Sequence, residues 1–129
     1  MRYMLLVYGQ ENALDEAERE HCYEESTQLT HELNAKGQFL AAAPLHPTQT
    51  ATSVRVKDGK KVVTDGPFAE TREQLGGYYL VEAEDLDEAI GIAERIPAAR
   101  WGTVEVRPVV ELTGMPDEAR PERMAASGK

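Results

Sequence analysis

A chain of 129 residues with 41% hydrophobic but only 6% aromatic content suits one domain with a mainly aliphatic core. Lys plus Arg total 14 against 23 acidic residues, a formal charge of -9, so a nucleic-acid partner meets net repulsion that no basic stripe offsets. The single cysteine, Cys22, excludes an internal disulfide framework and points to a reducing, cytoplasmic setting. No apolar run approaches the roughly 18 residues of a membrane helix, and the apolar stretch after Met1 is too short for a signal peptide.

Residues 2–8 predict a first strand. Tyr3, Leu5 and Val7 alternate with Met4, Leu6 and Tyr8. Both faces are apolar, as in a strand covered on two sides. A domain this small covers one sheet face with its own helices, so the other calls for a second subunit. Residues 14–36 read as a helix with acidic Asp15 and Glu16 near its start and Gly37 as its stop. Its inward stripe is Cys22, Ser26, Leu29 and Leu33. A short strand over 38–43 follows, ended by Pro44 and Pro47.

Val54 and Val56 alternate with Ser53, Arg55 and Lys57, and Asp58-Gly59 is a hairpin turn from which 61–64 returns as the partner strand. A rigid loop from Thr64 to Gly76 holds three carboxylates, Asp65, Glu70 and Glu73. Residues 77–83 form the next strand. Asp85 and Glu88 open a second helix in capping-box fashion, with Leu86, Ala89, Ile90, Ala93 and Ile96 as its apolar stripe and Pro97 as its end. A last strand runs over 103–110. The domain spans 1–112, and 113–129, without periodicity, is expected to be a mobile tail. The order is βαββαβ with a hairpin inserted, an α+β ferredoxin-like arrangement.

The run Asp65-Gly66-Pro67-Phe68-Ala69-Glu70-Thr71-Arg72-Glu73-Gln74-Leu75-Gly76-Gly77-Tyr78-Tyr79 resembles the signature of the DGPF-motif branch of the YCII-related proteins. Tyr3-Met4-Leu5-Leu6, Asp85-Leu86-Asp87-Glu88-Ala89 and Val104-Glu105-Val106-Arg107-Pro108 agree with it. The resemblance implies a dimeric α+β barrel in which two ferredoxin-like subunits pack sheet to sheet. Enzymes among the YCII-related proteins are thought to use a histidine on the first helix and an aspartate before a proline after the second. Here those places hold Ser26 and Ile96, so the pair does not carry over. The DGPF branch also looks associated with extracytoplasmic-function sigma factors, which implies an accessory or regulatory alternative to catalysis.

Candidate site residues follow from side-chain chemistry. Asp65 precedes a Gly-Pro turn, where a carboxylate either accepts backbone N–H bonds and locks the loop or acts as a general base. His46, in the rigid Leu45-His46-Pro47 loop, has a side chain suited to proton transfer near neutrality. Gly76-Gly77 marks a bulge or close backbone approach. Tyr78 and Tyr79 point to opposite faces, and Tyr79 is the orienting group. Phe68 and Arg55 complete the expected ligand contacts. His21, Cys22 and Glu25 lack zinc spacing, the loop carboxylates lack a calcium pattern, and no cofactor fingerprint occurs. The expectation is a homodimer that binds a small organic molecule, with Asp65 and His46 as the catalytic pair for isomerase- or lyase-type proton transfer.

Overall fold

Strand β1 (Arg2–Gly9) is the central girder, and a computed structural model describes it with the rest of residues 1–116. It pairs antiparallel with β5 (Gln74–Glu82) on one side and β6 (Thr103–Pro108) on the other. Strand β2 (Phe39–Pro44) adds to the far edge of β5, giving the order β2-β5-β1-β6. Helix α1 (Glu16–Ala35) connects β1 to β2, and helix α2 (Leu86–Ala93) connects β5 to β6. This is the ferredoxin-like α+β fold expected from the element order. The inserted β3 (Thr52–Lys57) and β4 (Lys60–Asp65) form a separate two-stranded sheet.

Period-two alternation assigns the two faces of the main sheet. Tyr3, Leu5, Tyr79 and Val81 are buried and pack with Leu29 and Leu33 of α1 and Ala89 and Ile92 of α2. Opposite-facing Met4, Leu6 and Tyr8 are half-buried. Met4 pairs with Leu80 and Leu6 with Tyr78, while Ala41 and Ala43 extend the same surface across β2. The second face is therefore as apolar as the sequence pattern requires, and among the described residues no helix covers it.

Local chemistry explains the boundaries. Asp15 accepts from the Glu18 backbone N–H at 2.8 Å, and the Glu18 carboxylate accepts from the Asp15 N–H at 3.0 Å. That reciprocal capping box starts α1 two residues later than the stripe alone predicts. At the hairpin turn, Asp58 and Gly59 take φ of 52° and 74°, the left-handed pair that Asp-Gly supplies. Strand β5 begins at Gln74, before the expected 77, because β1 keeps pairing with it past an irregularity. Val7 faces Gly77 and Tyr8 faces Leu75, so Gly76 is the extra residue of a bulge.

The second helix differs most from expectation. It ends at Ala93, and Leu86 and Ile90 of the predicted stripe are exposed. Ala89 and Ala93 of that stripe are buried as expected and are joined by Ile92, which the stripe left out, with Ile96 buried beyond the helix end. Two alanines on the inward face let the short helix approach the sheet closely, which turns Leu86 and Ile90 outward. Strand β6 likewise stops at Pro108 rather than 110. In the predicted tail, residues 113 and 114 form a turn with Gly114 at φ 82°, and 117–129 lie outside the described residues.

Ile92→Ala is expected to destabilise the fold by about 2–5 kcal/mol, the usual cost of emptying a core position. Leu86→Ala, at an exposed site, should stay within about 0.5 kcal/mol. Urea denaturation of both variants separates the observed helix orientation from the one the sequence stripe implies.

Candidate functional site

The inward stripe of α1 changes character along its length. Leu29 and Leu33 fill the space beneath the helix, whereas one and two turns earlier the stripe holds Ser26 and Cys22. These small side chains leave the space between helix and sheet largely unfilled, and the missing volume is a cavity of about 720 Å³. That size suits a small organic ligand. Its helical wall carries Cys22, Tyr23 and Ser26; its sheet wall carries Val7, Ala42 and Tyr79. Ile96, Pro97, Ala98 and Trp101 close one side, and Leu45, His46 and Pro47 stand at another.

Two close approaches shape the walls. A Cβ on Gly9 would lie 2.2 Å from the Trp101 ring, so only glycine lets the indole settle against the end of β1. A Cβ on Gly77 would lie 3.1 Å from the Ala43 carbonyl oxygen, where β2 crosses close to β5. Arg100, in the 3-10 turn Pro97–Arg100, donates to both Glu25 carboxylate oxygens at 3.2 and 2.8 Å. This bidentate pair ties the turn to α1 and holds the Glu25 carboxyl below its ordinary value. Glu11 accepts from the backbone N–H and the hydroxyl of Thr48, both at 2.7 Å, and so links the loop after β1 to the loop after β2.

Among the polar groups in the lining, Tyr79 is the most deeply placed, with 6% of its surface exposed. Burial raises its phenol above the ordinary value, and a side-chain hydrogen bond with Ser26 acts in the opposite direction. Tyr79 is therefore a neutral hydroxyl at physiological pH, able to donate a hydrogen bond to a ligand oxygen but not to serve as a phenolate base. Arg19 reaches the lining and has no carboxylate partner among the described residues. No cluster of three His, Cys, Asp or Glu side chains able to hold a metal occurs among the described residues.

The sequence-predicted site residues divide into two groups. His46 and Tyr79 both line the cavity. Asp65, Arg55 and Phe68 are absent from its lining and lie on the hairpin and the loop that follows. Asp65 pairs with Thr52 in the hairpin ladder and is exposed, and no hydrogen bond to its carboxylate is formed among the described residues. The loop is locked by other groups. The Ser53 hydroxyl donates to the Gly66 carbonyl at 2.7 Å, the Gly66 N–H donates to the Ala51 carbonyl at 2.7 Å, and Gly66 takes φ 97°. Arg55 lies 5.7 Å from the centre of the Phe68 ring, so the two engage each other.

Trp101, Tyr23 and Arg19 are lining residues that the sequence reasoning did not single out. The available signal was the run of small side chains in the first half of an otherwise apolar helical stripe. Ser26 and Ile96, the places where the family resemblance puts a histidine and an aspartate, both face this cavity.

The raised Tyr79 phenol has a consequence for stability. Above pH of about 10, the unfolded chain releases the tyrosine proton while the folded chain retains it, so stability falls as pH rises. Thermal denaturation across that range should show a steeper loss for the native chain than for Tyr79→Phe.

A search of protein families matches residues 1–113 to the YCII-related domain. An uncharacterized protein of Rhizobium meliloti is 36% identical over 114 residues, covering 84% of this chain and 92% of that protein. Among solved structures, the chain is similar to 5-chloro-2-hydroxyhydroquinone dehydrochlorinase (TftG) from Burkholderia phenoliruptrix, in complex with 2,5-dihydroxybenzoquinone. That match has a TM-score of 0.52 at 15% identity and covers 85% of this chain and 94% of the other, a likeness of fold. With the family model matched over nearly the whole described chain and a relative sharing over a third of its residues, the protein belongs to the YCII-related family.

Proposed function

We propose that the chain is a homodimer whose subunits each hold a small, largely apolar organic molecule in the cavity between α1 and the sheet, and that the chemistry is proton transfer on a carbonyl or phenolic compound. The observation that carries this is the buried Tyr79 hydroxyl, set beside Ser26 in a cavity of about 720 Å³. An apolar enclosure with one or two fixed polar groups binds by burial and orients by hydrogen bond. Tyr79 donates to the ligand oxygen, and His46 at the exposed rim carries the proton. Asp65 stands outside this scheme because it is not in the lining. A reducing, cytoplasmic setting suits the half-buried thiol of Cys22.

The dimer is supported by the second sheet face. Met4, Leu6, Tyr8, Tyr78 and Leu80 form a continuous apolar surface on the central strands, flanked on β6 by Glu105 and Arg107. Covering that surface with its counterpart on another copy removes apolar area from water that nothing else removes.

Thermal-shift screening against phenolic, quinone and carbonyl compounds tests the binding, since a ligand of the folded state raises the melting temperature. The complex of TftG with 2,5-dihydroxybenzoquinone makes that class the first to try. Ser26→Leu, which fills the cavity, should abolish the shift produced by any hit, and Tyr79→Phe should weaken affinity by roughly 5–30-fold, the scale of one lost hydrogen bond to a buried partner. Hits that bind Ser26→Leu as well as the native chain would place the ligand elsewhere. Sedimentation at micromolar concentration should give a dimer for the native chain and a monomer for Leu6→Glu.

A further inference from the structure

The β3–β4 hairpin bonds to no other strand of the described chain, and no other element packs extensively against it. A lone two-stranded ribbon is marginal in water. Its ladder sets Val54 opposite Val63 and places Val56 on the same face. These three side chains are 61%, 52% and 73% exposed. Valines clustered on one face of a strand pair are the pattern of a surface that is packed against something. Among the described residues nothing packs there.

Charge indicates what the covering surface is. Residues 52–65 carry Arg55, Lys57, Lys60 and Lys61 against Asp58 and Asp65, in a chain of net charge -9. None of the three lysines has an ion-pair partner among the described residues. Helix α1 has the opposite balance, with six glutamates against the single Arg19. Glu25 and Glu32 are engaged by Arg100 and Arg95. Glu16, Glu20 and Glu24 are exposed and have no cation partner among the described residues. Lys61 lies opposite Val56 on the valine face, while Arg55, Lys57 and Lys60 lie on the other face. One chain thus carries a ribbon apolar on one face and basic on the other, together with an acidic helical surface, and the ribbon does not use its own helix.

We infer that the hairpin is an arm that docks on a second copy of this chain, its valine face covered by the partner and its lysines set against the partner's acidic α1 surface. The inference rests on the dimer proposed above and adds a contact that sheet-to-sheet packing does not supply. In a closed twofold assembly both arms are used at once, so the ribbon's apolar face and the surplus negative charge of α1 are both satisfied. The partner is chemically matched because it is the same molecule.

Two variants test the arm against the native chain, with self-association measured by sedimentation over a concentration series. V54T/V56T/V63T keeps shape and strand preference while removing the apolar face, and circular dichroism should report an unchanged fold. Its self-association should be weaker by roughly tenfold or more, the scale expected for loss of buried apolar anchors. K57E/K60E/K61E should weaken association at low salt, with the deficit shrinking at high salt as the charges are screened. A native dimer whose strength neither variant changes overturns the arm and leaves the sheet-face dimer standing. A native chain that is monomeric overturns the dimer and the arm together. A native dimer weakened by the valine variant but untouched at any salt by the lysine variant overturns the docking against α1.

Discussion

The structure depends on one strand being apolar on both faces. Strand β1 takes the centre of the sheet, paired along both edges. One set of its alternating side chains lies under the helices and the other on the face that no helix of the described residues covers. Leu5 is fully buried against the helices, next to Tyr79 across the ladder. Leu6 and Met4, one residue to either side, belong to the opposite surface. A one-residue slip in the pairing would exchange these sets and bring Met4, Leu6 and Tyr8 under the helices. The bulge at Gly76 preserves the register near the core while letting β5 continue to Gln74. That continuation brings the start of β5 to the cavity, so the site geometry follows from the same pairing.

The cavity is an economy of volume in α1. A helix that carried leucine at 22 and 26 as it does at 29 and 33 would close the space and leave a solid core. Ser26 and Cys22 hold it open, and the Trp101 ring resting on Gly9 gives it a firm side wall. Tyr79 then sits where burial suppresses its ionisation, which makes it a hydrogen-bond donor rather than a base. In the family resemblance, enzymes place a histidine and an aspartate at the positions of Ser26 and Ile96.

The Asp65–Tyr79 loop shows where residue-type reasoning misleads. Its three carboxylates and Gly-Pro turn look like a reactive motif. In the fold, Asp65 is a solvent-facing ladder residue, Glu73 accepts from the Thr103 hydroxyl at 2.9 Å, and the turn is held by Ser53 and Ala51. Much of the loop's peculiarity is backbone geometry around Gly66, Gly76 and Gly77. Its last residue, Tyr79, is the one buried in the cavity wall, because strand alternation directs it to the helix side, where Gln74, Gly76 and Gly77 of the same stretch also line the space.

By itself the sequence determined the element order, the hairpin turn, the two-sided character of β1 and the family. Those are local or periodic properties, written in nearest neighbours and in spacings of two and about four residues. Only the tertiary structure decided which of the candidate residues meet. His46 and Tyr79 come to one cavity while Asp65, Arg55 and Phe68 remain on the hairpin and the loop after it, because that depends on where a long insertion points once the sheet is formed. The orientation of α2 was likewise undecided. Leu86 and Ile90 are as apolar as Ile92, and the choice was made by how closely Ala89 and Ala93 let the helix approach the sheet.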